Sequence, residues 1–239
     1  EPPSTRRRWR CLLETLRRVL PLCLMLTTAG CAALSTAPSP LSIEGMREAS
    51  FTAALAVERQ LPAGSGYSAC LVSYRSDGLN VRALVAVPDR VAPPGGFPIL
   101  VANHGFHPDP PRYGITADGV QSRPGDYYRA IPALFTAEGF LVVMPDYRGH
   151  NISEGLEYTG GFLATLYYTR DVLALLAGLH SIEQADTENV FLWGHSLGAE
   201  VTLRALLAGD GVKGASLWSP VGGTLWEQAY HYSRRDSAD

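Results

Sequence analysis

A serine with a glycine two residues away on each side is the feature of this sequence best suited to chemistry. Residues 190–193 form a short apolar run typical of a strand buried on both faces, Gly194-His195-Ser196-Leu197-Gly198 follows, and a helical pattern runs from Ala199 to Ala208. A sharp strand-to-helix turn holds such a serine in a strained backbone conformation, and the glycines let strand and helix approach without a Cβ clash. The pattern therefore predicts Ser196 as a nucleophile for acyl transfer.

The alternative is a serine that only caps the following helix. Its hydroxyl would then accept a hydrogen bond from a backbone N–H of the first helical turn and would have no chemical role. The flanking strand and helix favour the nucleophile over the cap.

The rest of the chain predicts an antiparallel hairpin followed by alternating strands and helices, which is typical of an α/β fold with a mostly parallel sheet and helices on both faces. Asp77-Gly78 marks the hairpin turn. Functional sites in such sheets form beyond the carboxyl ends of the strands, where His104-Gly105-Phe106, residues 146–149 and Ser196 fall. Strands are predicted at 51–58, 69–74, 81–87, 99–102, 140–144, 190–193 and 212–218, and helices at 127–138, 161–182 and 199–208.

These motifs, in this order, resemble the α/β-hydrolase superfamily over residues 43–226. The hairpin at 73–78 and Pro145-Asp-Tyr-Arg-Gly149 are most similar to its prolyl oligopeptidase-like branch of esterases and peptidases. The resemblance implies that Ser196 is the nucleophile and that the backbone N–H groups of Leu197 and Phe106 stabilise the oxyanion.

The resemblance also implies supporting roles around the nucleophile. Gly194, His195 and Gly198 would shape the turn at Ser196, and His104 and Gly105 would order the oxyanion loop. Asp146 and Arg148 are expected to brace the neighbouring loop rather than take part in the reaction. His107, His150 and His180 have no motif that would make them catalytic.

The sequence departs from the superfamily at its C-terminal end. The superfamily order is serine, acid, histidine, and we expect the last strands, with the acid and base, to be missing from a partial reading frame. Asp210 satisfies the order formally but would lie at the opposite end of the sheet from Ser196. His231 leaves from the correct end, yet nothing obvious orients it. Without a base the serine is barely nucleophilic, so we expect this chain by itself to be inactive or very weak.

The first thirty residues predict a secretory signal of the bacterial lipoprotein type. Arginines at 6–8, 10, 17 and 18 precede an apolar stretch at 19–26, and Thr28-Ala29-Gly30-Cys31 resembles a lipobox. The resemblance implies cleavage before Cys31, lipidation of that cysteine, and anchoring in the cell envelope, with the outer membrane favoured. Residues 31–42 would be a flexible tether, and 43–239 an incomplete hydrolase domain. A transmembrane anchor or a buried amphipathic helix are the alternatives.

Composition narrows the remaining classes of partner. The net charge is −3, and because residues 1–30 hold six arginines against two acids, a surplus of four, the remaining chain carries −7. This negative charge on the remaining chain argues against nucleic acid as a partner. No metal spacing is visible, and we expect no cofactor. The leading hypothesis is a serine esterase acting on small esters, followed by a peptidase acting on short peptides. A lipid-anchored binding module without catalysis is the alternative of another class.

Overall fold

The computed structural model describes residues 37–112, 128–161, 163–221, 226–227, 230 and 233–234. The predicted signal peptide, Cys31 and His231 lie outside these residues. The compact unit begins at Ser39, and the Ser42 hydroxyl caps the first helix by accepting a hydrogen bond from Gly45 N at 3.0 Å. None of the helices in the described ranges has the length and apolar character that a bilayer crossing requires.

Seven strands form one mixed sheet in the order β1-β2-β3-β5-β4-β6-β7. The pairs among β1, β2, β3 and β5 are antiparallel, whereas β4 pairs in parallel with β5 and β6, and β6 with β7. The strands that carry the predicted site therefore lie in the parallel half. Their bounds are β1 Ala56–Gly64, β2 Tyr67–Ser76, β3 Leu79–Pro88, β4 Phe97–Asn103, β5 Leu141–Pro145, β6 Ala185–His195 and β7 Val212–Trp218.

Helices cover both faces of the sheet. The α-helices are α1 Ile43–Glu48, α2 Ile131–Ala137, α3 Ala164–Gly178 and α4 Leu197–Ala208, with 3-10 turns at Pro110–Arg112, Leu156–Tyr158 and Leu179–Ser181. Residues of α1, α3 and α4 pack on one face in a large apolar cluster. Residues of α2 pack in a second cluster on the other face, so alternate residues of the central strands serve separate cores.

The predicted fold class is confirmed, and the main difference lies at the first strand. Residues 51–55 alternate between half-buried and exposed side chains as predicted, but they pair with no strand in the described part of the chain. Leu55 instead lies against the end of α3, where a Cβ on Gly178 would clash with it. Pairing with β2 starts at Ala56 and continues to Gly64 with two register shifts, in an edge strand whose residues are mostly exposed.

Candidate active site

Ser196 occupies the turn between β6 and α4 in a conformation that side chains rarely adopt. Its φ is 56° and its ψ is −123°, outside the extended region typical of an N-cap residue. Its side chain makes no capping hydrogen bond to α4. Its backbone N–H donates to Trp218 O at 2.9 Å, which ties the turn to the end of β7. The interpretation of Ser196 as a simple helix cap is therefore wrong.

The two flanking glycines are required by close backbone contacts. A Cβ on Gly194 would clash with Gly198 O and the Thr202 hydroxyl, and a Cβ on Gly198 would clash with the carbonyl oxygens of Asn103 and His104. The contact at Gly198 places the first turn of α4 directly against the end of β4. The loop that follows β4 is thereby held next to Ser196.

The predicted oxyanion loop lies against the nucleophile turn. A Cβ on Gly105 would come within 3.2 Å of both Ser196 Cβ and His195 O. The backbone N–H groups of Phe106 and Leu197 donate no hydrogen bond to any other residue in the described ranges. Backbone N–H groups that are not already hydrogen-bonded, next to a serine, are the donors that a developing oxyanion needs.

Ser196 and the oxyanion loop open into one cavity of about 280 Å³. The cavity has an apolar part and a polar part, which suits a substrate with both characters. The apolar part comes from Phe106, Pro110, Ala164, Leu197 and Val221, and the polar part from His107, His150, Thr159, Thr165, Tyr168, Ser196 and Glu200.

His104, which the sequence predicts to order the oxyanion loop, contacts both the next residue and a stack of aromatic rings. His104 is buried, and its Nδ1 donates to Gly105 O at 2.8 Å. The ring lies 4.2 Å from the Tyr147 ring, which in turn stacks on Tyr168 at 4.8 Å. Burial and the neighbouring His150 hold the pKa of His104 well below its usual value, so the ring is neutral at neutral pH.

Two other histidines line the cavity although no motif predicted a role for them. His150 is buried, its Nδ1 donates to Arg148 O at 3.2 Å, and burial lowers its pKa to about 4. His107 Nδ1 accepts a hydrogen bond from Asp109 N at 3.0 Å. His180 is exposed in the 3-10 turn that follows α3.

Arg148 braces the loop after β5, as the sequence predicted. It is 1% exposed, and both its backbone N–H and its guanidinium donate to Asp171 on α3. The same guanidinium reaches Asp77 in the β2–β3 turn at 2.9 Å, and Arg170 also binds Asp77. Hydrogen bonds from Arg170 and Arg148 lower the pKa of Asp77 to about 2 against the opposing effect of burial.

Asp146 lies at the start of the same loop. Its backbone N–H donates to Arg82 O at 2.9 Å, and its carboxylate accepts a hydrogen bond from Asn151. Asp146 therefore joins the loop to β3, in keeping with a bracing role.

His107, His150 and Glu200 line the cavity together with Ser196, but no described acid or histidine is hydrogen-bonded to the Ser196 hydroxyl. Asp210 precedes β7, at the opposite end of the sheet from Ser196, as expected. No hydrogen bond joins the Ser196 hydroxyl to a histidine in the described ranges, and no cluster of three or more His, Cys, Asp or Glu side chains suited to a metal occurs there. The catalytic base is therefore not identified among the described residues.

Comparison with known proteins bears on both the family and the fold. A family model described as "Serine aminopeptidase, S33" matches residues 115–232, just under half of the chain. No protein of curated function matches the sequence significantly.

Solved structures match over most of the chain. An acetyl xylan esterase from Paenibacillus sp. R4 superposes with a TM-score of 0.58 at 18% identity, over 85% of this chain and 70% of that one. The chain has the α/β-hydrolase fold. Acetyl Xylan Esterase 1 from Thermoanaerobacterium sp. JW/SL YS485 gives 0.54 at 14% identity, over 80% of this chain and 63% of that one. Pyrococcus horikoshii acylaminoacyl peptidase gives 0.50 at 20% identity, over 65% of this chain and 24% of that one.

Within this α/β-hydrolase fold, sequence reasoning missed the residues that α3 and α4 contribute to the lining of the cavity. Thr165 and Tyr168 are one turn apart on α3, and Glu200 faces them from the first turn of α4. The Thr165 hydroxyl donates to Glu200 Oε1 at 3.3 Å, and Arg204 binds the same oxygen. The only sequence signal was a polar residue on an otherwise apolar helix face, which does not indicate a site without coordinates.

Proposed function

We propose that this domain is a serine hydrolase that cleaves carboxylic esters through an acyl-enzyme on Ser196. The observation that carries the proposal is that a serine in a strained strand-to-helix turn shares one cavity with two uncommitted backbone N–H groups. Ser196 Oγ attacks the ester carbonyl, the alcohol leaves, and water releases the acid. A general base must accept the serine proton and pass it to the departing alcohol.

The electrostatic part of the mechanism follows from the position of α4. The helix begins directly after Ser196, so the positive end of its dipole and the Leu197 N–H face charge that develops on the carbonyl oxygen. The Phe106 N–H would be the second donor. Loss of one such donor typically costs about 10²–10³ in rate.

The proposal favours esters because of the cavity and the structural neighbours. The cavity holds a small acyl group, and the two neighbours with the higher TM-scores quoted above are acetyl xylan esterases. A peptidase is the second candidate, because the family model is described as a serine aminopeptidase and one neighbour is an acylaminoacyl peptidase.

Fluorophosphonate labelling tests the proposal on the full-length natural protein, so that any residues encoded on either side of this sequence are present. We expect covalent labelling that Ser196→Ala abolishes and that Ser68→Ala, at an exposed serine on β2, leaves unchanged. A folded protein that takes up no label would contradict the enzyme and support a non-catalytic binding module. Faster turnover of p-nitrophenyl acetate than of an aminoacyl p-nitroanilide would favour the esterase over the peptidase.

We also propose that the mature protein is anchored in the bacterial cell envelope through lipidated Cys31. Support comes from the basic and apolar segments that precede Thr28-Ala29-Gly30-Cys31. In a bacterial host, we expect an alkyne analogue of palmitate to label the protein and Cys31→Ala to abolish this labelling. Cys70→Ala, at the half-buried cysteine of the folded domain, should leave it unchanged. Labelling that persists without Cys31 would contradict the anchor.

A further inference from the structure

The Tyr128 hydroxyl connects the oxyanion loop to the nucleophile turn. Its ring is buried and meets the Trp193 ring edge-on at 5.7 Å. Its hydroxyl oxygen accepts a hydrogen bond from Gly105 N at 3.1 Å and lies 2.6 Å from His195 Nδ1. A hydroxyl has one proton and two acceptor lone pairs, so the tautomer of the His195 ring sets which of the two partners donates in the second contact. One side chain therefore bridges the residue before Phe106 and the residue before Ser196.

The backbone of Gly105 is held on both sides. Its N–H is bound by Tyr128, and its carbonyl oxygen accepts from His104 Nδ1 at 2.8 Å. In a trans peptide the carbonyl and the next N–H point in opposite directions within one plane. Fixing the Gly105 carbonyl therefore fixes the direction of the Phe106 N–H.

The space around Gly105 explains why the hydroxyl is needed there. A Cβ at this position would come within 2.8 Å of the Tyr128 oxygen and 3.2 Å of Ser196 Cβ, so a side chain here would force the Tyr128 hydroxyl to shift. Glycine has the least restricted backbone of any residue, and side-chain packing does not hold it in place. The hydrogen bond from the Gly105 N–H to the Tyr128 hydroxyl restrains the backbone at this position.

We propose that Tyr128 is a positioning residue that sets the orientation of the Phe106 N–H for the oxyanion. The inference rests on the function proposed above and adds a residue to it. Tyr128 is not among the residues that line the cavity, so it acts through Gly105 and His195 rather than by touching substrate. A donor must point at the oxyanion before the reaction begins, and its misalignment weakens binding of the transition state more than binding of the ester.

The variant that isolates the hydroxyl is Tyr128→Phe, which keeps the ring in its core position. Tyr74→Phe is the matched control, because the Tyr74 hydroxyl is also buried but has no hydrogen-bond partner in the described structure. His195→Ala removes the other partner of the Tyr128 hydroxyl and provides a second route to the same effect. Thermal unfolding of all three variants reports whether they fold.

Two measurements on the full-length protein decide the matter. We expect kcat for p-nitrophenyl acetate to fall about 10-fold in Tyr128→Phe with KM unchanged, because one donor is misaligned rather than removed. We expect the Gly105 amide to exchange its hydrogen about 10-fold faster, as one hydrogen bond is lost. His195→Ala should change both quantities in the same direction, and Tyr74→Phe should change neither.

The outcomes separate this inference from the proposed function. Unchanged Gly105 exchange in Tyr128→Phe overturns the positioning role even if the protein is an active esterase. Faster exchange with kcat equal to that of Tyr74→Phe also overturns it, because the loop would then be released without effect on the oxyanion. If the unaltered protein neither turns over esters nor takes up fluorophosphonate, the proposed function fails, and Tyr128 is left with a structural contact only.

Discussion

Arg148 is the most tightly held charge near the cavity. Its guanidinium is shared between Asp171, which is fully buried, and Asp77, which is partly exposed, and it lies 5.3 Å from the Tyr158 and Tyr167 ring centroids. A buried ion pair contributes little compared with an apolar replacement of both partners, but the loss of one partner leaves an unbalanced charge. The loop after β5 therefore depends on Asp171 more than on any surface ion pair.

Replacement of Asp171 by asparagine should be strongly destabilising. The amide is neutral, so the buried Arg148 loses its main counter-charge, and we expect the free energy of unfolding to fall by about 3–5 kcal/mol. Denaturant unfolding measures the change. Asp89→Asn, at an exposed site, should change it by less than about 0.5 kcal/mol. A loss below about 1 kcal/mol for Asp171→Asn would show that Asp77 alone satisfies Arg148.

Among single residues, the sequence predicted those that belong to a short contiguous motif. The motifs around Ser196 and around His104-Gly105 are each contiguous in sequence. The residue types within each motif therefore indicate the backbone conformation that it adopts. Tyr128 and Asp171 were not predicted, because each acts on a residue more than twenty positions away and carries no local signature. Long-range hydrogen bonds of single side chains are set by the fold rather than by local pattern.

The contact between α4 and the end of β4 is the element-scale feature on which the site depends. The two elements approach so closely at Gly198 that the carbonyl oxygens of Asn103 and His104 occupy the space of a side chain. Asn103 also donates from Nδ2 to the Thr202 hydroxyl at 2.8 Å, which fixes the first turns of the helix against the strand.

Gly198→Ala should push α4 away from β4. The added methyl group meets backbone rather than a flexible side chain, so we expect a loss of about 1–3 kcal/mol in the free energy of unfolding. Fluorophosphonate labelling of Ser196 should also be lost in protein that remains folded, because the oxyanion loop no longer faces the serine. Gly160→Ala is the control, since a Cβ there meets open space. Normal labelling in Gly198→Ala would contradict this coupling.

The strands buried on two faces were predicted well, and so was the largely exposed β7 at Val212–Trp218, whereas the exposed edge strand β1 was not. β4, β5 and β6 are apolar runs, and the structure places them at or near the predicted positions. β1 was displaced by several residues because only Leu61 of its nine residues is buried, so its sequence carries no alternation. The predicted helix at 161–182 starts three residues too early, since α3 begins at Ala164.

At the scale of the whole molecule, neutral histidines are buried within the larger of the two cores. The ring centroids of His104 and His150 lie 4.9 Å apart, and both rings contact Tyr147 of that core, while His150 also contacts Tyr168. Charging either ring would place a cation in this apolar layer. The fold as a whole therefore opposes protonation that the unfolded chain accepts.

Stability should consequently fall as the pH decreases below about 6.5, the usual pKa of histidine in an unfolded chain. Between that value and the native pKa of about 4, the unfolded state binds the proton of His150 and the native state does not. Each such histidine lowers the free energy of unfolding by up to about 1.4 kcal/mol per pH unit in this range, and contributes no slope above it. Denaturant unfolding at pH values from 4 to 8 measures the slope.

A variant pair assigns the slope to its source. His150→Gln should reduce the pH dependence between 4 and 6.5, whereas His180→Gln, at an exposed histidine, should leave it unchanged. An equal slope in all three proteins would show that the acid sensitivity arises from carboxylates elsewhere.

The shared carboxylate of Asp77 has a consequence for how this sequence drifts over evolutionary time. Asp77 sits at the tip of the β2–β3 hairpin and does not line the cavity. Arg148, in the loop after β5, and Arg170, on α3, nevertheless both donate hydrogen bonds to its carboxylate. A neutral residue at that tip would leave Arg148 with Asp171 alone and would remove the carboxylate that Arg170 binds. Natural variants should therefore exchange Asp77, Arg148 and Arg170 as a set or keep them all, which a comparison of homologous sequences would test.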